Sequence, residues 1–372
     1  MRGKKDQFSS ILSILSEAVL ANLLSNLRLV FFLAYPAFAA SCDPPHFPDY
    51  KKEYSYIQDS VLTKVNLSAS SYTPHTDINS LDIFFFNNDR LKRLDSYLHL
   101  EESSFSGLEL VSGSGEKIIA AVANWGRDKY LWKSAGTYSS LLETYSELSG
   151  DSPFSPVMSA LGTIKAGVEK TVNLNLKPLL CAVKVSSITC DFSGRPYNNS
   201  NLDSLKVYLC NVNSRAPLID TSSSVSIKFI NQGGCSKEEM STLTHPETLF
   251  KDLRMSLSGS PARGRNTVCP DLTLYCYENR TEREDLGAPL TRLVVEGRID
   301  GVKYYYPINI NSADFGAEKG SEGVRRACLY DFDIKITRKG SSDPDCAVPP
   351  GSLEFSIRTK EWEEVNCVNI SY

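Results

Sequence analysis

Apolar and polar residues alternate over several stretches of the chain. Between residues 171 and 177 every second position is apolar (Val172, Leu174 and Leu176), and the same alternation returns in residues 331–337. A period of two turns one face of a strand toward a core and the other toward water, so both stretches predict β-strands. Further stretches with strand character are residues 81–86, 117–123, 179–185, 205–212, 272–277, 304–310 and 353–357.

Helical periodicity is rare by comparison. Residues 138–148 predict the best helix, because Leu141, Leu142, Tyr145 and Leu148 recur at spacings of three and four. Residues 236–249 predict a weaker one. Many strands separated by Gly, Pro, Asn and Ser turns, with few helices to connect parallel strands, indicate an all-β fold of antiparallel β-sandwiches.

The best candidate for a domain boundary is Pro178. The alternating strand ends there and a new apolar strand follows, and proline suits such a junction because it cannot donate to a sheet ladder. The chain has 372 residues, enough for about two domains of ordinary size. We therefore predict an N-terminal domain over residues 51–178 and a C-terminal domain over residues 179–372.

The first 41 residues have a different pattern, that of an export signal. Basic residues are followed by a Leu-rich stretch and by twelve uncharged residues, 29–40, that end in small side chains. This is the pattern of a signal peptide. Because Ser41 is followed directly by Cys42, cleavage between them would leave Cys42 as an acylated N-terminus, as in bacterial lipoproteins. The alternative, an uncleaved anchor over residues 18–40, would place Arg28 inside the bilayer at a cost of a few kcal/mol. Residues 42–50, rich in proline, predict a stiff tether.

Composition excludes some classes of function and raises a question about cysteine. The chain is 41% hydrophobic with a net charge of −4, too apolar for disorder and too balanced in charge for a nucleic-acid-binding polycation. Of the ten cysteines, Cys42 lies before Pro178 and the other nine follow it. They include no Cys-x-x-Cys pair that would indicate zinc. Cys190 with Cys210, or Cys346 with Cys367, could form disulfides, but spacing does not fix the pairing. Cys276 could be a small buried residue.

No pattern in the chain indicates an enzyme or a cofactor. The zinc-protease helix, the phosphate loop and the hydrolase elbow are missing from the sequence. The four histidines, at positions 46, 75, 99 and 245, have unrelated spacings and are interpreted as surface residues. Asp331 and Asp333 are interpreted as the solvated side of a strand, and Asp343 and Asp345 as part of a turn rather than a calcium site.

Several segments resemble the fimbrillin superfamily of Bacteroidetes fimbrial subunits and their anchoring relatives. They are residues 292–311 (RLVVEGRIDGVKYYYPININ), 324–345 (VRRACLYDFDIKITRKGSSDPD), 360–362 (KEW) and 176–184 (LKPLLCAVK), together with the lipobox. The resemblance implies two tandem transthyretin-like β-sandwich domains. It also implies export as a lipoprotein to the outer membrane and cell surface, and assembly with other fimbrial subunits by β-strand exchange.

Residues 365–372 suit the role of a donated strand. Val368, Ile370 and Tyr372 alternate with Cys367, Asn369 and Ser371, and no charge interrupts them. A sandwich that lacks one strand exposes unpaired backbone groups that another chain's strand can pair with. We therefore predict a donor strand that includes Val365, Cys367, Val368, Ile370 and Tyr372. The equally open alternative is that this strand completes its own domain's sheet.

The distribution of arginine bears on the type of subunit. In polymerising relatives an Arg-specific protease removes the first strand, but residues 43–89 contain no Arg, and only Lys51, Lys52 and Lys64 are basic. This favours a lipid-anchored anchoring or minor subunit over a processed stalk subunit. A further alternative is a lipoprotein adhesin that binds a glycan or a host or bacterial surface protein through exposed aromatics, such as Tyr304–Tyr306 or Trp125 and Trp132.

Overall fold

The computed structural model describes residues 59–71, 77–101, 105, 107–126, 136–220, 229–230, 246–281, 284, 288–313, 317, 322–348 and 351–366. All of them belong to one compact unit, Asp59–Tyr372. No helix in these ranges is long and apolar enough to cross a membrane.

The first half of the unit supplies most of one large sheet. Its strands are β1 (Ser60–Ser71), β2 (Leu81–Asn87), β3 (Leu94–Leu100), β4 (Leu108–Gly113), β5 (Gly115–Ala123), β6 (Tyr145–Glu147), β7 (Met158–Ala166) and β8 (Thr171–Pro178). A short helix, α1 (Tyr138–Leu142), and a 3-10 turn (Leu148–Gly150) lie between β5 and β7.

The second half supplies the remaining strands. They are β9 (Leu180–Cys190), β10 (Asn201–Cys210), β11 (Val212–Asn213), β12 (Arg215–Pro217), β13 (Phe229–Ile230), β14 (Phe250–Asp252), β15 (Leu257–Ser258), β16 (Thr267–Val268), β17 (Leu272–Tyr277), β18 (Arg292–Ile299), β19 (Val302–Asn309), β20 (Cys328–Ile336), β21 (Leu353–Glu361) and β22 (Glu363–Asn366). Helix α2 (Pro246–Leu249) precedes β14, and a 3-10 turn (Pro261–Arg263) precedes β16.

Three sheets dominate the architecture. The largest has the order β22-β1-β8-β7-β5-β2-β3, with β4 also paired to β1. The other two have the orders β14-β10-β18-β19, with β15 on β10, and β16-β9-β20-β21, with β17 on β9. Two-stranded pairings of β11 with β13 and of β12 with β6 complete the described strands. The all-β sandwich prediction is confirmed.

The alternating sequences form strands with one buried face, as predicted. In β8 the side chains of Val172, Leu174 and Leu176 are buried and those between them are more exposed. Strand β2 differs, because both of its faces are buried. Phe84 and Phe86 pack into the core that the first sheet shares with the second half, while Ile83 and Phe85 pack into a separate core on the opposite face. Burying such a side chain contributes about 1.5–3 kcal/mol.

The helix predicted over residues 138–148 is wrong beyond Leu142. Thr137 caps α1 by accepting a hydrogen bond from the Ser140 amide at 3.3 Å. The Thr144 hydroxyl donates to the Ser140 carbonyl, and Tyr145–Glu147 then pairs with β12 in an extended conformation. Pairing with a distant strand overrides a local helical period in this segment. Most of the weaker predicted helix, residues 236–245, lies outside the described residues.

The chain passes from the first sheet to the next at Pro178. Pro178 is the last residue of β8, opposite Met158, and Leu180 begins β9 in a different sheet. Leu179, between them, donates its amide to the Val157 carbonyl at 2.9 Å. This position remains our proposal for the boundary between the two domains.

Candidate subunit interface

Strand β1 lies inside the largest sheet and is paired along both edges. On one edge it runs parallel to β8, from Lys64 opposite Thr171 to Ala69 opposite Leu176. On the other edge β4 pairs antiparallel with Ser60–Val65, and β22 pairs antiparallel with Ser68–Ser71. Three different strands therefore contact β1, and one of them comes from the opposite end of the chain.

The two faces of β1 have different surroundings. Val65, Leu67 and Ala69 point into the core and are at most 5% exposed. On the opposite face, Leu62 is 54% exposed and lies across from Val111 of β4, which is 59% exposed. The buried face stabilises β1 by hydrophobic burial. The exposed apolar pair leaves part of the outer face open to water.

The chain reaches β1 from the second half through Trp362. This residue lies between the end of β21 and the start of β22, is 8% exposed and donates its amide to the Ala327 carbonyl at 2.8 Å. Directly after it, Glu363 lies opposite Ser71 of the large sheet. Trp362 is therefore a buried, hydrogen-bonded residue at which the chain passes from the sheet that contains β21 to the large sheet that contains β22.

The register limits how far β22 can continue along β1. Asn366 is opposite Ser68, and Leu108 of β4 is opposite Val65 on the same edge. Among the described strands, only positions 66 and 67 of β1 have no residue opposite them on this edge. If the register continued, residue 369 would fall opposite Val65, where Leu108 already pairs. This edge of β1 is therefore occupied by β22 and β4 at all but two of its positions.

A polar cavity of about 450 Å³ lies where β1, β7 and β8 meet the second half. The guanidinium of Arg326 lies at its wall and donates to the Ser159 hydroxyl at 3.1 Å and to the backbone carbonyls of Pro178 and Lys177. Burial lowers the pKa of Arg326, against the nearby negative charge of Glu278. These bonds tie the end of β8 to the second half, so the cavity is part of the junction between the two halves.

A second set of buried polar groups joins the two halves. The Tyr277 hydroxyl is 3.0 Å from the Ser146 hydroxyl and 3.0 Å from a carboxylate oxygen of Asp151. The other oxygen of Asp151 accepts from the amides of Ser152 and Val157 at 2.8 and 2.9 Å. Burial raises the pKa of Asp151 to about 6, although these amide bonds oppose the shift.

The predicted site residues are only partly within the described residues. Val365 lies in β22, opposite Ala69. The signal-cleavage and lipidation residues, Ser41 and Cys42, and the remaining donor-strand residues, Cys367, Val368, Ile370 and Tyr372, lie outside them. Sequence reasoning missed the pairing of β22 with β1. The one available signal was the short uncharged alternation that begins at Val365, within β22.

The aromatic residues that could have lined an adhesive surface are partly in the core. Trp125 is 6% exposed and Tyr306 is fully buried, with its hydroxyl donating to the Arg338 carbonyl at 2.9 Å. Both therefore correct the expectation of exposed aromatics. Trp132 lies outside the described residues, and Tyr304 and Tyr305 are half-buried.

The possible bridge between Cys190 and Cys210 is not formed in the structure, where Cys190 carries a free, buried thiol in β9. Cys346 is exposed, and its predicted partner Cys367 lies outside the described residues. Cys276 is fully buried, as a small core residue would be. Among the residues that the structure describes, no cluster of His, Cys, Asp and Glu could hold a metal ion.

The one histidine within the described residues is not isolated. His99 lies 2.7 Å from a carboxylate oxygen of buried Asp82 and 3.1 Å from Glu101. Burial opposes the charged ring, but the two carboxylates outweigh it and raise the pKa of His99. Tyr97 donates a hydrogen bond to the same Asp82 oxygen at 2.6 Å. His46, His75 and His245 lie outside the described residues.

The acidic residues of β20 have the environment that the sequence predicts. Asp331 and Asp333 each pair with Arg358 of β21, at 2.9 and 2.8 Å, and accept from the hydroxyls of Ser186 and Ser187. The Ser187 hydroxyl and then Arg358 hold the pKa of Asp333 below its usual value. These pairs form a cross-strand ladder on the solvated face.

Comparison with known proteins shows what this fold resembles. No family model and no curated protein matches the sequence. Among solved structures, the chain is similar to a fimbrilin of Porphyromonas gingivalis W83 (TM-score 0.57, 12% identity, 82% of this chain and 98% of that one). It is similar to a candidate cell adhesion protein of Parabacteroides distasonis (TM-score 0.56, 16% identity, 82% and 100%). It is also similar to the tip fimbrial protein Mfa3 of Porphyromonas gingivalis (TM-score 0.50, 15% identity, 81% and 100%). The chain therefore shares the fold of Bacteroidetes fimbrial and adhesion proteins.

Proposed function

We propose that this protein is a structural subunit of a cell-surface fimbrium. In this proposal it is held in the outer membrane by lipid on Cys42, acts as an anchoring or minor subunit, and joins a neighbouring subunit by donating its C-terminal strand. The shared fold with a fimbrilin and a tip fimbrial protein supports the class of function. The path of the chain after Trp362 carries the proposal of strand donation.

That path is suited to release. The described part of β22 contributes only four residue pairs to β1, Glu363 to Asn366, at an edge that β4 already occupies further along. A terminal segment with so few pairs opens at low cost in free energy, because few backbone hydrogen bonds are lost. Residues from 369 onward would have to displace β4 to continue that strand. They are therefore better placed to pair with an open sheet edge of another chain.

Trp362 would limit the motion to the residues after it. It belongs to the core that the first sheet shares with the second half, and its amide bonds to the Ala327 carbonyl. A donor that pivots at a buried tryptophan leaves its own domain folded. Deleting the segment after it should therefore cost little stability.

The experiment compares two variants that differ only in the face of the tail that carries charge. Val368→Asp with Ile370→Asp places two carboxylates on the face predicted to enter an acceptor groove, whereas Asn369→Asp with Ser371→Asp places them on the other. We expect the first variant, like deletion of residues 365–372, to abolish fibre attachment to the cell while the second retains it. If fibres remain attached to cells after the deletion, the strand-donation proposal is wrong.

A separate measurement tests the anchor. Mass spectrometry of the N-terminus of the native protein should find an acylated Cys42. A mature N-terminus some tens of residues later would indicate a processed stalk subunit, and would contradict the anchoring role without affecting strand donation.

A further inference from the structure

Two cysteines that are far apart in the sequence face each other across neighbouring strands. Cys181 of β9 is directly opposite Cys276 of β17, and their sulfur atoms are 3.2 Å apart. Directly opposite residues in an antiparallel ladder have Cα atoms about 4.5–5.5 Å apart, within the range of about 4.4–6.8 Å that disulfides span. Rotation of the two side chains could therefore bring the sulfurs into bonding distance without moving the backbone.

We propose that Cys181 and Cys276 form a cross-strand disulfide when the chain folds in an oxidising compartment. The proposal rests on the export that the proposed function includes, but not on the fimbrial role itself. The two thiols are oxidised, and the oxidant is a disulfide-bonded thiol oxidoreductase or a small-molecule disulfide such as oxidised glutathione.

The step is two successive thiol–disulfide exchanges. The thiolate of one cysteine attacks the oxidant's disulfide and forms a mixed disulfide, and one oxidant thiol leaves. The second protein thiolate attacks the protein sulfur of that mixed disulfide, and the second oxidant thiol leaves. Each cysteine loses one proton, and two electrons pass to the oxidant, which ends as two thiols.

Burial fixes when the bond can form. Cys181 and Cys276 are both 0% exposed, so no oxidant can reach them in the folded protein. Burial also raises the pKa of Cys181, which disfavours the reactive thiolate. Oxidation must therefore accompany folding and cannot follow it.

The bond would hold a strand that has one neighbour. Among the described strands, β17 pairs only with β9. Its last residue, Tyr277, carries the hydroxyl that contacts Ser146 and Asp151 across the junction of the two halves. A covalent link beside Tyr277 would keep this edge strand, and with it the junction, from separating under tension.

Refolding provides the test. The full chain is reduced and unfolded, then refolded with a mixture of reduced and oxidised glutathione, and free thiols are alkylated before non-reducing digestion and mass spectrometry. We expect one linked peptide pair joining Cys181 to Cys276, which is lost in Cys181→Ser and in Cys276→Ser. Cys190→Ser, which removes another fully buried thiol of β9, should retain it.

Cys328 is the competing partner, because it begins β20 on the other side of β9. A Cys181–Cys328 link, or alkylation of both Cys181 and Cys276 after refolding, would overturn the proposal. In folded, reduced protein that is placed in the same glutathione mixture, Cys181 and Cys276 should stay reduced. If they were oxidised there as fast as during refolding, the burial argument would be refuted. The 95-residue separation of the pair predicts that the bond lowers the unfolding equilibrium constant on the order of a thousand-fold. An unchanged constant would contradict the stabilising role.

Discussion

Asp151 offers a quantitative test of the junction between the two halves. Its carboxyl is 6% exposed, and its pKa is about 6 in the folded protein against 3.8 for an ordinary aspartate. A difference of roughly two pKa units corresponds to about 3 kcal/mol of free energy. Because the folded state holds the proton more tightly than the unfolded state, protonation stabilises the fold.

The sign determines the shape of the pH profile. Below pH 3.8 both states are protonated, and the stabilising effect is fully present. As the pH rises from 3.8 through about 6, the unfolded state loses the proton first and the stabilisation is lost. At pH 7 the buried carboxylate therefore costs about 3 kcal/mol relative to the protonated form.

Asp151→Asn isolates this effect. The amide oxygen can still accept from Ser152 and Val157, and the amide nitrogen can donate to the Tyr277 hydroxyl, which then donates to Ser146. Urea unfolding followed by tryptophan fluorescence gives the free energy of unfolding of both proteins between pH 4 and 8. We expect the wild type to lose up to about 3 kcal/mol relative to the variant as the pH rises.

Asp191→Asn is the matched control, because hydrogen bonds from Ser193 lower the pKa of Asp191. Its carboxylate stabilises the fold above the unfolded pKa, and that contribution is lost as the pH falls. The wild type should therefore gain stability relative to Asp191→Asn as the pH rises, opposite in sign to the effect at Asp151. Parallel pH profiles for the wild type and Asp151→Asn would refute the reasoning.

Two further substitutions test buried features of the core. Lys117→Ala should lower the free energy of unfolding by about 3–5 kcal/mol, because Lys117 is 1% exposed and its removal leaves Asp95, 3.1 Å away, without its charge partner. A double variant, Lys117→Met with Asp95→Asn, should lose less of the free energy of unfolding. Equal losses in urea unfolding would contradict the ion-pair account. Gly323→Ala should lower the midpoint of thermal unfolding more than Gly301→Ala does. Both glycines have positive φ, but a Cβ at Gly323 would lie 2.3 Å from the Asn279 carbonyl oxygen, whereas a Cβ at Gly301 meets nothing within 4 Å. Equal decreases in the two variants would show that backbone strain alone determines the loss.

Local patterns predicted the strands well, because a strand with one buried face has apolar residues at every second position of its sequence. The alternation of Val172, Leu174 and Leu176 reports the core side of β8 regardless of which strands lie beside it. The same logic failed at Tyr145, whose spacing from Leu141 and Leu148 fits a helix. There the outcome depends on β12, about seventy residues later, and no local period contains that information.

Long-range pairings could not be predicted for the same physical reason. The sequence after Trp362 indicates a strand, but its pairing partner depends on which unpaired sheet edge lies next to it in the folded protein. Likewise, spacing suggested bridges from Cys190 and Cys346, whereas the register of β9 and β17 places Cys181 opposite Cys276. Register is a property of the assembled sheet, and a single sequence does not encode it in any short window.

The position of β1 gives a physical argument about proteolytic processing. Cleavage at Lys51 or Lys52 would leave β1 in place, because both residues precede it. Lys64 lies within β1 and pairs with β4 and β8 on both edges, so a protease would need to unfold the sheet to reach it.

Arg90 is exposed in the turn between β2 and β3, and cleavage there would detach two strands rather than one. The second of them, β2, places Ile83 and Phe85 in one core and Phe84 in the other, all at 0% exposure. Losing three such side chains would remove about 5–9 kcal/mol of hydrophobic stabilisation, comparable with the whole stability of an ordinary domain. Cleavage at Lys51, Lys52, Lys64 or Arg90 would therefore not release β1 while leaving the sandwich folded. This supports the proposal of a subunit that retains β1 and donates its C-terminal segment.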